Sequence, residues 1–139
     1  MMNARIQRSD EFIERLRDLA HTAGRFSIIV APQESPLSPY EHMFSGWGDK
    51  PKVLLVCRNY SRKVISFQAE IRRVHVLRLR DLTRNQLKGC VGPQHQAEIM
   101  PILSRSYYNT VTEGGNVLVR ENDFVILLEL EGIPGQKPA

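Results

Sequence analysis

Near the start of the chain, apolar positions follow a helical rather than a strand pattern. The residues concerned are Phe12, Ile13, Leu16, Leu19, Ala20 and Ala23. Their spacing predicts an amphipathic helix, with Ser9 as its N-cap and Gly24 at its end. The apolar run at 25–31 (RFSIIVA) then predicts a short strand, which Pro32 ends.

The strongest strand pattern of the chain predicts a β-hairpin. Its strands are expected at 52–58 and 63–80, with a short turn between them. In the second strand the alternation of apolar and polar residues breaks at Arg72 and Arg73, which predicts a one-residue bulge there. Because that strand is longer than most, we expect it to bend and pass from one edge of a curled sheet to another, as in small barrels.

The other predicted elements are shorter. Thr83 and Gln86 fit a capping box that begins a short helix ending at Gly89. A second short helix is expected from Pro101 to about Thr110, after a turn around 96–100. The remaining segments are a closing hairpin with strands at 117–122 and 124–131, a long loop at 32–50 with the aromatic residues Tyr40, Phe44 and Trp47, and the chain end at 133–139.

Length and composition favour one domain over 1–132, followed by a flexible tail over 133–139. The chain has 139 residues, of which 42% are apolar and 24% charged, as in ordinary globular domains. No apolar run approaches the ~20 residues of a membrane-spanning helix, and the N-terminus lacks the apolar core of a signal peptide. We therefore expect a cytoplasmic protein without a membrane partner.

The cysteines and histidines predict neither a disulfide nor a cofactor site. Cys57 lies in an apolar run and Cys90 follows a glycine, so both are expected to be buried, unreactive thiols. The four histidines have neither mutual spacing nor cysteine partners suited to a metal. We expect no metal and no other cofactor.

Positive charge is concentrated between Lys50 and Lys88. This stretch carries eleven Lys or Arg residues and two acids, so its net charge is +9, against +4 for the whole chain. Cations interleaved with aromatic residues suit RNA or single-stranded nucleic acid, because phosphates neutralise the charge while bases stack on the rings. A basic sheet face and an aromatic loop are expected to bind it through Arg25, Trp47, Lys50, Lys52, Arg58, Tyr60, Arg62, Lys63, Arg72, Arg73, Arg78 and Arg80.

Three short motifs and the order of the predicted elements suggest a known family. The motifs are 24–27 (GRFS) after the first helix, 48–54 (GDKPKVL) before the hairpin, and 80–83 (RDLT) at the end of its long strand. With these motifs the chain resembles the ASCH family of PUA-like β-barrel domains over nearly its whole length. The resemblance implies an α+β fold: a small curled barrel of about five to six strands, an N-terminal helix, and two short helices inserted before the last strands.

The resemblance also implies a cleft between barrel and helices, and a role with RNA or modified nucleosides. Family members of known activity include ribonucleases and small amidohydrolases that deacylate N4-acetylcytidine. Where these enzymes typically have a lysine and, three positions on, a hydroxyl residue, this chain has Phe26 and Ile29. A general acid/base or nucleophile is then missing, and Ser27 has no evident base beside it in sequence. A binding protein, or an enzyme whose catalytic residues lie elsewhere in the chain, is therefore favoured over an active deacylase.

Three classes of function remain open. The first is a binding module for RNA or single-stranded nucleic acid. The second is an enzyme acting on RNA or a modified nucleoside, in which Arg25, Ser27, Lys52 or Glu98 would line the cleft. The third is a protein-interaction domain whose basic face binds an acidic partner.

Overall fold

The structure, a computed structural model, describes residues 2–34, 51–92, 98–103 and 120–136. Strands, helices and 3-10 turns alternate along these parts of the chain. In order they are β1 (Met2–Gln7), α1 (Asp10–Ala20), β2 (Arg25–Val30), a 3-10 turn (Pro32–Glu34), β3 (Lys52–Arg58), β4 (Val64–Arg78), a second 3-10 turn (Leu79–Asp81), α2 (Arg84–Lys88), α3 (98–103) and β5 (Phe124–Gly132).

The strands form one mixed sheet in the order β1-β3-β4-β5-β2. β1 runs parallel to β3, and the other neighbouring strands are antiparallel. With helices packed on this sheet, the predicted α+β class is confirmed. The described strands leave the sheet open, so its closure into a barrel stays a prediction.

β4 has fifteen residues because it pairs with two different strands on its two sides. The first half of β4, from Val64 opposite Arg58 to Glu70, pairs with β3. The second half of β4 pairs with β5. The register shifts between Ile71 and Arg73, as expected for a bulge. The predicted bulge is confirmed, whereas the passage of this strand from one edge of a curled sheet to another stays a prediction.

Apolar side chains cover parts of both faces of the sheet. On one face, α1 packs through Leu16 and Ala20 onto a cluster that includes Phe67 and Leu128. On the opposite face, α2 and α3 cover a second cluster around Leu127 at the far end of the sheet. Neighbouring residues of β5 point in turn into one cluster and then the other, so successive positions of this strand are apolar. β5 also has a strand on each side, β4 and β2.

Two of the three predicted helix starts, those at Ser9 and Thr83, are confirmed by their caps. The Ser9 side-chain oxygen accepts a hydrogen bond of 3.3 Å from the Phe12 amide. At α2, the Gln86 amide donates to the Thr83 hydroxyl at 3.2 Å, and the Thr83 amide donates to the Gln86 side chain at 2.9 Å. Such caps pair amides that have no acceptor within the helix.

Four elements differ from the sequence prediction. α1 ends at Ala20 rather than at Gly24, and residues 120–122, predicted as the end of a strand, lie in a turn closed by the Asp123 amide and the Arg120 carbonyl. β1 is not predicted by its short pattern (MNARIQ) and becomes a strand through its parallel pairing with β3. Residues 98–100 are helical, although a turn is expected there, so the helix includes residues before Pro101. Ile99 and Leu103, four positions apart, are both buried in the second cluster, which favours a helix through the proline.

Several predictions fall on residues that the structure does not describe. They are most of the 32–50 loop, the end of the second short helix, the first three residues of the strand predicted at 117–122, and the last three residues of the chain. At the start of the predicted tail, the Gln136 amide nitrogen donates to the carbonyls of Ala20 (2.9 Å) and Gln68 (2.8 Å), and its oxygen accepts from the Gln68 amide (2.8 Å). Across the described ranges, no helix has the length and apolar content needed to cross a membrane.

Candidate functional site

The predicted nucleic-acid-binding residues separate into groups in the structure, while Trp47 and Lys50 lie outside the described residues. Arg25 lies by itself at the start of β2, and the others form three groups that we name by position. These are a sheet group (Lys52, Arg72, Arg73), a turn group (Arg58, Tyr60, Arg62, Lys63) and a far group at the end of β4 (Arg78, Arg80).

Two members of the sheet group, Arg72 and Arg73, lie beside carboxylates from a distant part of the sequence, and Lys52 lies opposite Glu70 on β4. Arg72 Nη1 lies 3.2 Å from Glu131 Oε2, and Arg73 is the cross-strand neighbour of Glu129. Glu129 Oε2 also lies 2.9 Å from His75 Nε2. Because β5 brings these acids beside the cations of β4, the sheet is a less basic surface than the charge count along 50–88 indicates.

The far group contacts the turn that precedes β5. Arg78 Nη1 donates to the Asn122 carbonyl at 2.7 Å, and its guanidinium carbon lies 4.7 Å from the centroid of the Phe124 ring. Arg80 Nε lies 4.0 Å from Asp81 Oδ1. The Arg78 side chain therefore helps to hold the end of β4 against the turn, whereas the exposed Arg80 side chain forms an ion pair with the next residue in sequence.

The turn group is held by a buried asparagine. Asn59 Oδ1 accepts hydrogen bonds from the amides of Ser61 (3.0 Å) and Lys63 (2.8 Å), and its Nδ2 donates to Asp10 Oδ1 at 2.7 Å. Arg62 has a φ of 66°, a left-handed conformation that costs a non-glycine residue about 1–2 kcal/mol. The exposed Arg62 and Lys63 therefore lie on a turn whose backbone is held by Asn59, and Asn59 in turn binds the first residue of α1.

We expect Asn59→Ala to lower the free energy of unfolding by about 2 kcal/mol, because two backbone amides and a carboxylate lose their partner. Denaturant unfolding followed by circular dichroism measures the change. Ser61→Ala, which alters an exposed side chain of the same turn, is the control and should change stability by less than about 0.5 kcal/mol. Equal effects of the two substitutions would contradict the bracing role of Asn59.

A cleft of about 710 Å³ lies between α1 and the segment that follows α2. The start of β2, α3 and the hairpin turn complete its walls. This volume is within the range of about 300–1,000 Å³ that is usual for ligand pockets. Its lining includes three aromatic rings, four cations and two carboxylates: Phe12, Phe26 and Tyr60; Arg8, Arg15, Arg25 and Lys88; Glu11 and Glu98.

One end of the cleft, here called the aromatic end, lies at the start of α1. The Phe12 ring contacts Gly92, where an added Cβ would lie 2.9 Å from the ring and where φ is +93°. Tyr60 lines the same end, because the neighbouring Asn59 binds Asp10 in the first turn of α1. Both aromatic side chains are half-buried, so part of each ring faces the cleft.

The opposite end, here called the basic end, lies beside the start of β2. The Ser27 amide donates to the Gly89 carbonyl at 2.9 Å, which brings the residues after α2 against β2. Arg25 precedes Ser27 by two residues and Lys88 directly precedes Gly89, so both lie next to this contact. Arg15 is on α1, about one helical turn after Phe12. Cations from three separate elements therefore line one part of the cleft.

Two of these cations are absent from the set predicted from sequence. Arg15 is expected to lie on the solvated face of α1, yet it follows Phe12 by three residues and precedes Leu19 by four, so helical spacing places it beside both. That spacing is the signal that could have identified it. Lys88 has no comparable signal, because its place in the cleft depends on how α2 docks against β2.

Arg8 lines the cleft but its charge is compensated. Its Nη1 and Nη2 lie 2.9 and 3.0 Å from the two carboxylate oxygens of Glu34, and Nη2 also donates to the Ile29 carbonyl at 3.2 Å. The Glu34 carboxylate accepts a further hydrogen bond of 2.9 Å from the Ala31 amide. The side chains of the pair are only 3% and 0% exposed, which indicates a structural role.

The residues of the enzyme hypothesis are only partly brought together. Arg25 and Glu98 line the cleft, whereas Ser27 and Lys52 are not part of its lining. Within the described ranges, no three or more His, Cys, Asp or Glu side chains are grouped so as to hold a metal ion. The lining can therefore neutralise an anion and pack against a ring, and among its described residues no hydroxyl nucleophile is paired with a histidine.

The two thiols are buried and free, as predicted. Burial raises the pKa of Cys57 to about 12 and that of Cys90 to about 11. Cys90 lines the cleft, and its Sγ lies 3.1 Å from the Gln86 carbonyl oxygen, to which it donates. Both thiols are protonated at neutral pH, which disfavours thiolate chemistry in the cleft.

Comparison with known proteins does not add to this description of the site. No protein-family model matches the chain, no curated protein matches its sequence, and no solved structure matches its fold.

Proposed function

We propose that this protein binds single-stranded nucleic acid, RNA in particular, in the cleft and along the hairpin turn. The observation that carries the proposal is that the two surfaces are continuous. Tyr60 belongs to the cleft lining and also to the turn that presents Arg62 and Lys63. A strand that leaves the cleft at its aromatic end meets exposed cations next.

The two surfaces would contact different parts of the strand. Phe12 and Tyr60 offer ring surface to bases, and stacking on such rings contributes about 1–3 kcal/mol per base. Arg25 and Lys88 in the cleft, with Arg62 on the turn, are exposed and can pair with phosphates. Because phosphate neutralisation releases bound counterions, affinity should depend strongly on salt.

We expect labelled single-stranded RNA to bind with an affinity that falls with salt, at a slope equivalent to about three to six phosphate contacts. Fluorescence anisotropy across a salt series measures this slope, with single-stranded DNA and duplex as competitors. The double variant Arg58→Glu/Arg62→Glu and the single variant Arg25→Glu should each weaken binding by at least about tenfold, because a cation becomes a repulsive acid.

Arg17→Glu is the charge-matched control for Arg25→Glu, because Arg17 is exposed on α1 but is not part of the cleft lining. It should leave affinity within about twofold of the parent protein. Equal losses in the control and the test variants would mean that net charge alone drives binding. Absence of binding at low salt would refute the proposal, and capture of an acidic protein despite nuclease treatment would favour a protein-interaction domain.

We also propose that the chain belongs to the ASCH family and that its sheet is part of a PUA-like barrel. The element order, the long bulged β4 and a cleft bounded by the sheet and the helices support this assignment. The proposal favours binding over catalysis, because Phe26 and Ile29 stand where the family's enzymes have a lysine and a hydroxyl residue. Both side chains are buried and apolar.

A further inference from the structure

We infer that the cleft accepts the terminal nucleotide of a strand, with a terminal phosphate at the basic end and the base directed towards the aromatic end. This inference rests on the proposed function and specifies which part of the strand enters the cleft. It is carried by the uneven distribution of charge along the cleft and by the location of the basic turn at one end.

Charge in the cleft is separated along α1. Of the two carboxylates in the lining, Glu11 is in the first turn of α1, at the aromatic end, and Glu98 is in α3, whose Ile99 and Ile102 line a smaller cavity together with Phe12. Arg25 and Lys88 line the opposite end. Arg8 does not add a positive charge to the aromatic end, because both carboxylate oxygens of Glu34 pair with it. A phosphate is therefore favoured at the basic end and disfavoured beside Phe12.

The number of cations at the basic end suits a terminal phosphate better than an internal one. A phosphodiester inside a strand carries one negative charge, whereas a phosphomonoester carries about −1.5 to −2 near neutral pH and has three strong acceptor oxygens. Arg15, Arg25 and Lys88 come from α1, β2 and α2, so they can approach a phosphate from different sides. Hydrogen bonds between such charged groups are stronger than those between neutral groups.

The rest of the strand has an evident path. Tyr60 lies at the aromatic end and continues into the turn with the exposed Arg62 and Lys63. From Ser9 to Leu19, which both line the cleft, α1 is about 15 Å long at a rise of 1.5 Å per residue. We infer that the terminal nucleotide occupies the part of this length nearest the basic end, and that the strand continues along α1 to the turn.

Calorimetry with short single-stranded RNAs tests the inference. The ligands are tetranucleotides with hydroxyl groups at both ends, with a 5′ phosphate or with a 3′ phosphate. A pentanucleotide with hydroxyl ends has the same number of phosphates as the phosphorylated tetranucleotides and controls for phosphate number. The additional charge of about −0.5 to −1 on a terminal phosphate is the same for the protein variants, whose comparison therefore locates the phosphate. Because only one end of the strand enters the cleft, either the 5′-phosphorylated or the 3′-phosphorylated tetranucleotide should bind about tenfold more tightly than the pentanucleotide. Lys88→Gln should abolish that gain, whereas Arg84→Gln, an exposed substitution at the other end of α2, should retain it.

The outcomes separate the inference from the proposed function. If neither terminal phosphate improves on the pentanucleotide while all the RNAs bind, the terminal-nucleotide inference is wrong and the proposed function stands. A phosphate gain that survives in Lys88→Gln also overturns the inference, because it places the phosphate elsewhere. If no RNA binds, the proposed function itself is wrong.

Discussion

Glu34→Ala is expected to lower the free energy of unfolding by about 3–5 kcal/mol, because it leaves the Arg8 guanidinium buried without its counter-charge. The wild-type carboxylate pairs with Arg8 at 2.9 and 3.0 Å and also accepts a hydrogen bond from the Ala31 amide. Urea unfolding followed by circular dichroism measures the loss. We expect the largest effect of any polar substitution proposed for this protein, because the two side chains are almost wholly buried.

Two further variants distinguish the effect of a buried, unpaired charge from that of a general loss of packing. Replacing both partners, as in Arg8→Met with Glu34→Leu, should cost less than Glu34→Ala alone, because no unpaired charge remains. Arg72→Ala breaks an ion pair whose side chains are about one quarter exposed, and it should cost no more than about 1 kcal/mol. A single variant that is no less stable than the double variant would contradict the explanation.

Gly132→Ala is expected to destabilise the protein by about 3 kcal/mol, near the upper limit for overpacking. An added Cβ at this position would overlap the carbonyl oxygens of Thr22 and Leu19 at the end of α1. The Gly132 amide also donates to the Gly24 carbonyl at 3.0 Å, so the backbone has little freedom to move away. Thermal and urea unfolding should both detect the change.

Gly24→Ala is the natural control for this substitution. An added Cβ at Gly24 would lie 3.6 Å from the Thr22 hydroxyl oxygen, an ordinary van der Waals contact. Its cost should be below about 1 kcal/mol. If the two alanine variants were equally stable, close approach of backbone at Gly132 would not be the reason for glycine there.

Both stability predictions concern parts of the fold that position the cleft. Arg8 lies in the cleft lining, and its guanidinium carbon is 5.7 Å from the centroid of the Phe12 ring at the aromatic end. Gly132 packs against the end of α1, near Leu19, which lines the cleft. Variants at either position should therefore be tested for folding before any change in RNA affinity is assigned to direct contact.

Local patterns predicted the elements whose signals lie within a few residues. The cap residues Ser9 and Thr83 identified two helix starts, since their hydrogen bonds span only three residues. The break in alternation at Arg72 and Arg73 identified the bulge in β4. β1 was not predicted, because its six residues form a strand only when β3 supplies their hydrogen-bond partners.

The binding site was predicted less completely, because charge along a chain does not determine charge in space. Arg72 and Arg73 belong to the most basic stretch of the sequence, yet β5 places Glu129 and Glu131 beside them. Lys88 was not predicted as a binding residue, and it enters the cleft lining through the docking of α2.

The sequence by itself determined the α+β composition, the helix caps, the hairpin with its bulged second strand, and the local excess of positive charge. Each of these depends on residues that are near neighbours along the chain. Only the tertiary structure decided which cations are neutralised across strands, that Arg8 and Glu34 form a buried pair, and that Arg15, Arg25 and Lys88 line one cleft. These features depend on strand order and helix docking, which bring together groups that are far apart in sequence.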